Sequence, residues 1–264
     1  MASFTGSSIK DVYKDILHTS NSNTGISTTI KQITCGDGDT TALYLSSRNL
    51  KVQPASDTTT NTVIYDASGN ALVTVDSTND LVKAGIGQHT VNTQFKSFGL
   101  FDFSPAAGVH HPLVTNAGGS EGTAYSGDVN AGDWGGTGTN PATSLTIASV
   151  AEQFVPSVWL LQQNITIDAI QYIMSCDASS TVNLHVCSYS MTTGSGSTAG
   201  DLSSGAVVGD HASAITVGDD RVSNGTITIQ TADIDSGKAI LVFAENVGGT
   251  DDISVQVNIK YHLR

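Results

Sequence analysis

The end of the chain alternates apolar and polar side chains without a break. The apolar positions are Ile253, Val255, Val257, Ile259 and Tyr261, and a polar side chain follows each of them. A period of two puts successive side chains on opposite faces of a strand, so that one face is apolar and the other polar. The pattern predicts a C-terminal antiparallel strand that is buried on one side only.

Shorter patterns of the same kind fill the region from residue 150 onward. Strands are predicted at residues 154–161, 165–174, 182–187, 222–230 and 239–244, and weaker ones at 206–208 and 214–217. Turns rich in Gly, Asp and Ser separate them, and seven or eight strands in about 115 residues are typical of antiparallel sandwiches. Residues 150–264 are therefore predicted to form an antiparallel β-sandwich of jelly-roll type.

The beginning of the chain has a helical period instead. Ile9, Val12, Tyr13, Ile16 and Leu17 are spaced as the apolar stripe of an amphipathic helix. A helix of about ten residues is marginal in water by itself, and the polar sequence behind it offers no apolar partner. We therefore expect a short N-terminal helix whose stripe is an attachment interface, buried against another chain.

The middle of the chain is predicted to connect these two ends. Strands at 62–65 and 71–75 flank the sequence DASGN at 66–70, which is typical of a hairpin with Gly and Asn at positions of positive φ. Residues 117–143 are crowded with Gly, Ala, Asn and Thr, which indicates a linker or loop system. The expected fold is mainly β, with an attachment segment at 1–50, a β-hairpin shaft and linker at 51–149, and a head at 150–264.

Charge excludes two classes of partner. Lys and Arg number 11 against 24 Asp and Glu, and the formal net charge is -13. This sign opposes binding to nucleic acid or to an anionic membrane, because both depend on Lys and Arg contacts with phosphate. No apolar run approaches the roughly 18 residues of a membrane span, and the first residues lack the pattern of a signal peptide. We expect neither nucleic-acid binding nor membrane insertion.

The cysteines do not form a metal-binding pattern. Cys35, Cys176 and Cys187 are an odd number and have no zinc-ligand spacing. Cys176 and Cys187 flank a predicted turn and could face each other on paired strands, which leaves a disulfide open. Free thiols half-buried in a sheet are the favoured interpretation, as expected for a protein made in a reducing cytoplasm.

Three histidines are candidate metal ligands. His110 and His111 are adjacent, and adjacent residues of an extended chain point to opposite faces, so a polar loop pair or a contact between symmetry-related subunits is favoured. His185 shares a strand face with Cys187, but a metal site there lacks a fourth ligand, so sheet packing is favoured. No metal site and no cofactor are predicted.

The acidic pairs at 219–220 and 251–252 are candidate catalytic carboxylates. Glycoside cleavage needs two carboxyl groups on either side of a bond, whereas neighbouring carboxylates in polar turns are usually just solvated. The chain has no G-x-S-x-G, P-loop or H-E-x-x-H motif. We therefore predict no catalytic residues and no enzyme activity.

Several segments resemble structural proteins of tailed bacteriophages. The N-terminal ones are IKDVYKDILH at 9–18, NSNTG at 21–25, GDGD at 36–39 and ALYLS at 42–46. They are similar to the unit that joins a trimeric shaft to the particle in virion fibre and appendage proteins. GDLSSG at 200–205, DIDSG at 233–237 and the final strand resemble the small β-sandwich heads at the tips of such fibres.

The resemblance implies a non-enzymatic virion protein, made in the host cytoplasm and then part of the particle. It implies a homotrimer, a short head or tail fibre or a capsid decoration, that docks on head, portal or tail proteins and whose tip contacts a host-surface glycan or protein. The alternative is a soluble lectin-like carbohydrate-binding module. Candidate recognition residues lie on the polar loops of the head: Thr193, Ser195, Asp201, Asp219, Asp220, Asp251 and Asp252.

Overall fold

A computed structural model describes residues 17–19, 25–103, 107–115, 136–147, 155–211, 213–248 and 252–264. The chain divides into an N-terminal unit, Met1–Asn92, and a C-terminal unit, Thr93–Arg264. Strands dominate both units, every pair of named strands is antiparallel, and residues 155–157 are helical. The predicted mainly β class is confirmed.

The N-terminal unit contains two four-stranded antiparallel sheets in which each strand pairs with the next along the chain. The first sheet contains β1 (His18–Thr19), β2 (Lys31–Thr34), β3 (Thr40–Leu45) and β4 (Leu50–Val52). The second sheet contains β5 (Thr62–Tyr65), β6 (Ala71–Asp76), β7 (Leu81–Ala84) and β8 (His89–Thr90). Both are meanders, which need only short connections between neighbouring strands.

The β5–β6 hairpin is the one that the sequence predicted. The Asp66 carboxylate accepts hydrogen bonds from the backbone N–H groups of Ser68 and Asn70, each at 2.8 Å, and from Nδ2 of Asn70 at 2.9 Å. The side-chain bond from Asn70 and these backbone bonds lower the pKa of Asp66. Gly69 has a φ of 84°, a left-handed conformation that glycine adopts without steric cost. Turn chemistry therefore sets the register of this hairpin.

The N-terminal unit buries very little apolar surface. Ile33 is the one buried apolar side chain in the described part of this unit. Large apolar side chains are exposed on both sheets and on their connections: Ile26, Leu43, Leu50, Val52, Ile64, Tyr65, Leu72, Val82, Ile86 and Val91. The two meanders do not close a core of their own among the described residues.

The C-terminal unit contains two larger sheets. The seven-stranded sheet has the order β10-β20-β14-β15-β18, with β12 beside β20 and β16 beside β14; the six-stranded sheet has the order β11-β9-β21-β13-β17, with β19 beside β13. The bounds are β9 (Thr93–Phe103), β10 (His110–Pro112), β11 (Val114–Thr115), β12 (Trp159–Leu160), β13 (Ile165–Cys176), β14 (Ser180–Met191), β15 (Leu202–Asp210), β16 (Ile215–Val217), β17 (Arg221–Thr226), β18 (Thr228–Ile229), β19 (Asp233–Ile234), β20 (Lys238–Gly248) and β21 (Ile253–Leu263).

One hydrophobic core joins these two sheets. Val182, Leu184 and Val186 of β14 contribute from the seven-stranded sheet, and Val255 and Val257 of β21 contribute from the six-stranded sheet. All five are at most 4% exposed, so the apolar face of each predicted strand is the core face. The alternation that predicted β14 and β21 thus reflects two sheets that pack against one core.

The opposite face of the seven-stranded sheet is also covered. Tyr189 of β14 and Phe243 of β20 point to this face and pack with Leu145 and Ile147 in a second cluster. The Tyr189 hydroxyl donates a hydrogen bond to the Ala142 carbonyl at 2.9 Å. Strand β20 is therefore buried on both sides, which explains the uninterrupted apolar run at 239–244.

The domain boundary differs from the predicted one at residue 150. The C-terminal unit begins at Thr93, because β9 pairs along β21 with Phe98 opposite Val257. Strand β10 pairs with β20 in the other sheet. The described part of the predicted linker, residues 136–143, packs on the seven-stranded sheet through Ala142, and residues 117–135 lie outside the described residues. The sequence placed these segments wrongly because their partners are distant in the chain.

The structure departs from two further predictions and leaves a third largely outside the described residues. The predicted helix at 8–17 lies outside the described residues except for Leu17, which is not helical. The predicted strand at 154–161 is wrong in part, since residues 155–157 are helical and only Trp159–Leu160 form a strand. Cys176 and Cys187 form no disulfide, as favoured, but both are buried instead of half-buried, and they do not face each other because they lie in different sheets and pack in different clusters.

Candidate functional site

The predicted recognition residues that the structure describes do not form one surface. Thr193 and Ser195 are exposed in the loop between β14 and β15. Asp219 and Asp220 are exposed in the turn before β17, where the Asp220 N–H donates to the Cys176 carbonyl at 3.2 Å. That carbonyl ends β13, close to where β14 begins. The two loops therefore lie at opposite ends of β14, whose 12 residues span roughly 40 Å.

Two of the remaining candidates have structural contacts. Asp201 is half-buried, and its Oδ1 accepts a hydrogen bond from the Ile147 N–H at 2.8 Å, which anchors the segment that covers the seven-stranded sheet. Asp252 is half-buried, and its carbonyl accepts from the Asp177 N–H at 3.2 Å. Asp251 lies outside the described residues. Asp201 is thus better explained as a structural residue than as an outward contact.

The attachment stripe is largely outside the described residues. Ile9, Val12, Tyr13 and Ile16 fall there, and Leu17 is 64% exposed. Its role as an interface stays a prediction.

An open cleft of about 470 Å³ lies beside β12. Trp159 and Tyr261 form one wall, with ring centroids 4.8 Å apart and planes inclined by 53°. The Tyr261 hydroxyl donates to Oε1 of Gln94 at 2.8 Å, and the exposed Gln162 and Gln163 lie at the rim. Aromatic faces next to amide groups can bind a ligand that has both an apolar face and hydroxyl groups.

A second candidate site is a buried polar cluster on the outer face of the seven-stranded sheet. His110 of β10 lies directly opposite Glu245 of β20, and Asn183 of β14 lies opposite Glu245 on its other side. His185 follows two residues after Asn183 and therefore lies on the same face. Three potential ligand atoms, one from each of His110, His185 and Glu245, all lie within 4.8 Å of one another. All three residues are buried.

Hydrogen bonds orient two of these side chains. Nδ1 of His110 lies 3.0 Å from the Gly136 carbonyl and donates to it, which leaves Nε2 with a lone pair. Nδ2 of Asn183 donates to Oε2 of Glu245 at 2.8 Å. Nδ1 of His185 lies 3.0 Å from Oδ1 of Asp210, out of hydrogen-bond alignment. Nε2 of His110 and both ring nitrogens of His185 have no hydrogen-bond partner in the structure.

Electrostatics favour a neutral imidazole at His185. Burial, and after it the neighbouring His110, lower the pKa of His185 to about 4 against the opposing effect of the Glu245 carboxylate. Burial also raises the pKa of Asp210, against the effect of His211. His185 is therefore uncharged at neutral pH and has a lone pair available, which is the form that binds metal ions.

The sequence indicates His110 and His185 as candidate ligands but does not indicate Glu245. His110 and His111 form a buried strand, not a polar loop, and His111 lies opposite Ala244 on the other face, as expected for adjacent residues. Glu245 was missed because it is 60 residues from His185 and more than twice as far from His110. Only the order β10-β20-β14 brings the three together.

Comparison with protein-family models found no match, and comparison with curated proteins found none either. Among the residues that the structure describes, no helix is long and apolar enough to cross a membrane.

Proposed function

We propose that this protein is a subunit of a homotrimeric fibre or surface appendage on a tailed-bacteriophage virion. Its N-terminal segment attaches it to a head, portal or tail protein, its meanders form a thin shaft, and its C-terminal unit is an outward β-sandwich head. The observation that carries the proposal is the exposed apolar surface of the N-terminal unit.

That surface needs a partner. Leu50, Ile64, Tyr65 and Ile86 are each 55% or more exposed, although each lies on or next to a meander strand. Burying a large apolar side chain stabilises a structure by roughly 1.5–3 kcal/mol. Three copies about one axis would cover these faces mutually, which makes a thin β-rich segment stable where a single copy is not.

The test is the native mass of the full-length chain. We expect about three times 27.2 kDa, by native mass spectrometry or sedimentation. The double variant Leu50→Asp with Ile64→Asp should dissociate the trimer. Val222→Asp is the matched control, because Val222 is similarly exposed but lies in the C-terminal unit.

A stable monomer at micromolar concentration, or an equal effect of Val222→Asp, would contradict the proposal. Incorporation supplies an independent test: Ile9→Asp with Ile16→Asp should remove the protein from virions. Virions that carry this variant at the normal copy number would refute attachment through the N-terminal stripe.

The lectin-like alternative is supported by the cleft beside β12. Trp159 and Tyr261 supply aromatic faces, and Gln94, Gln162 and Gln163 supply amides that can hydrogen-bond to hydroxyl groups. A soluble lectin would bind sugar through Trp159 as a monomer, with the N-terminal unit dispensable. A fibre would use the same cleft weakly and multiply the affinity over three subunits.

Glycan-array binding by the full-length chain separates the two functions. Loss of binding in Trp159→Ala places a sugar site in the cleft under either function. Binding that is unchanged in the Leu50→Asp, Ile64→Asp variant favours the monomeric lectin, whereas a large loss of avidity favours the fibre.

A further inference from the structure

We propose that His110, His185 and Glu245 form a zinc-binding site on the outer face of the seven-stranded sheet. This inference goes beyond the proposed function and does not depend on it. It rests on the positions of three potential ligands, on the groups that orient them and on their burial.

The ligand positions come from three neighbouring strands. His110, Glu245 and His185 lie on β10, β20 and β14, and strand pairing holds their side chains on one face. Nε2 of His110 lies 3.7 Å from Oε2 of Glu245. Zinc–ligand bonds of about 2.0–2.1 Å in tetrahedral geometry place two ligand atoms about 3.3–3.5 Å apart. These two atoms therefore need to move only a few tenths of an ångström closer to have the separation of two ligands of one zinc ion.

Each ligand has a neighbour that suits a metal site. A histidine that binds metal through one nitrogen usually donates its other N–H to a carbonyl or a carboxylate. His110 does this toward Gly136 at 3.0 Å, and Nδ1 of His185 lies 3.0 Å from Oδ1 of Asp210. Asn183 holds Oε2 of Glu245 at 2.8 Å. If Nδ1–H of His185 donates to Asp210, Nε2 is the nitrogen that is left to bind the ion.

Ring nitrogens of both histidines in this cluster lack hydrogen-bond partners. His110 is 0% exposed, His185 is 3% exposed, and their ring centroids lie 5.0 Å apart. Buried polar atoms nearly always have hydrogen-bond partners, yet Nε2 of both rings has none. A bound cation would satisfy both lone pairs and neutralise the buried Glu245 carboxylate.

Two imidazoles and one carboxylate select the class of metal. This donor set suits zinc, which binds His nitrogen and carboxylate oxygen in four-coordinate sites and accepts water as a fourth ligand. Calcium and magnesium prefer oxygen ligands only. The ion would link the edge strand β10 to β20 and β14, so the expected consequence is stabilisation of this part of the sheet.

The test uses the tag-free, full-length chain with Cys35→Ser, so that the half-buried thiol does not bind the ion. After removal of metal with a chelator, titration with Zn²⁺ alone should show one ion per chain and a rise in the thermal midpoint. Co²⁺ should produce the strong visible absorption bands of a site with fewer than six ligands, which reports the geometry directly on the unmutated site.

Variants separate the site from surface binding. His110→Asn with His185→Asn, and separately Glu245→Gln, should weaken Zn²⁺ binding more than about 100-fold, since loss of an outer partner alone costs about 10–100-fold. Asn183→Ala should cause this smaller loss. His262→Asn is the control, because His262 is also buried but contacts Asp168 in the other sheet.

Two results would overturn the proposal. One is Zn²⁺ binding by the parent chain that is no tighter than binding by Glu245→Gln, which conserves the side-chain volume and keeps the protein foldable. The other is a set of Co²⁺ bands identical to those of the aqueous ion.

Discussion

The strands of both units carry large apolar side chains, and the two units differ in how much of this apolar surface they bury. Strand β6 in the N-terminal unit buries Thr74 and Asp76, which are polar, and leaves Leu72 exposed. Strand β20 in the C-terminal unit buries a continuous apolar run on both faces. The N-terminal sheets depend on turns and hydrogen bonds, and the C-terminal sheets depend on a second layer. A strand pattern alone does not reveal whether a second layer exists.

The largest expected difference between the two units is the loss in free energy of unfolding when a leucine is replaced by alanine. Leu184→Ala removes a side chain that is 0% exposed in the core and should lower the free energy of unfolding by about 2–5 kcal/mol. Leu50→Ala, at 65% exposure, should cost less than about 0.5 kcal/mol in a monomer. Urea unfolding followed by tryptophan fluorescence and by hydrogen exchange measures both, and a similar cost at the two positions would abolish the contrast.

Replacing one glycine in each unit by alanine distinguishes the effect of tight packing from the effect of turn conformation on stability. A Cβ at Gly205 in the C-terminal unit would lie 2.9 Å from the Thr143 Cα and closer still to Tyr189, so Gly205→Ala should cost about 1–3 kcal/mol by overpacking. A Cβ at Gly69 would meet nothing within 4 Å, but its φ of 84° should make Gly69→Ala cost about 1–2 kcal/mol. Unfolding measurements on each variant test this. A neutral Gly69→Ala would mean that the hairpin does not depend on its turn.

The buried carboxylate of the N-terminal unit should make its stability sensitive to acid. Burial alone would raise the pKa of Asp76, but hydrogen bonds from Asn79 and Lys83 outweigh it and lower the pKa below 3.8. The Lys83 ammonium lies 3.0 Å from Oδ2 of Asp76. Because the folded pKa is below the unfolded one, the stabilisation is complete above about pH 4 and is lost as the pH falls through the folded pKa.

Asp76→Asn should therefore cost about 1–2 kcal/mol at pH 7 and flatten the acid dependence of the β6–β7 hairpin. Chemical denaturation at a series of pH values, with hydrogen exchange of residues 71–84, measures this. An unchanged acid profile in the variant would show that Asp76 does not hold the hairpin.

The smallest effect is expected at the β14–β15 loop. Deletion of residues 193–199 removes exposed and half-exposed residues and should change stability by less than about 0.5 kcal/mol. If this loop contacts a host surface, particles with the deletion should adsorb less well, with normal protein content as the control. Unchanged adsorption would leave the cleft at Trp159 as the better candidate contact.

Local patterns predicted much of the secondary structure. The alternation at 253–261 and 182–187 and the apolar run at 239–244 correspond to β21, β14 and β20. The turn residues between β5 and β6 predicted that hairpin, because Asp66 and Gly69 act within five residues of each other. These signals are local, and neighbouring residues along one chain segment are sufficient to produce them.

The sequence could not predict the pairing of distant strands. The cleft at Trp159 needs Gln94 and Tyr261, and the histidine cluster needs Glu245 beside His110. Each of these contacts crosses more than 60 residues of chain, and many strand orders satisfy the same alternation. Local patterns therefore place Trp159 in an ordinary strand and the histidines in sheet packing or a loop.

By itself, the sequence determined a mainly β protein, because strand periodicity and turn preferences depend on residues that are close together in the chain. It contains no strong local signal for catalysis. The tertiary structure alone decided where the second unit begins, which faces are covered, and that His110, His185 and Glu245 meet. Those outcomes depend on which sheet edge each strand joins. That choice is made by the total burial of apolar surface over the whole C-terminal unit, a non-local quantity that no short segment of the chain encodes.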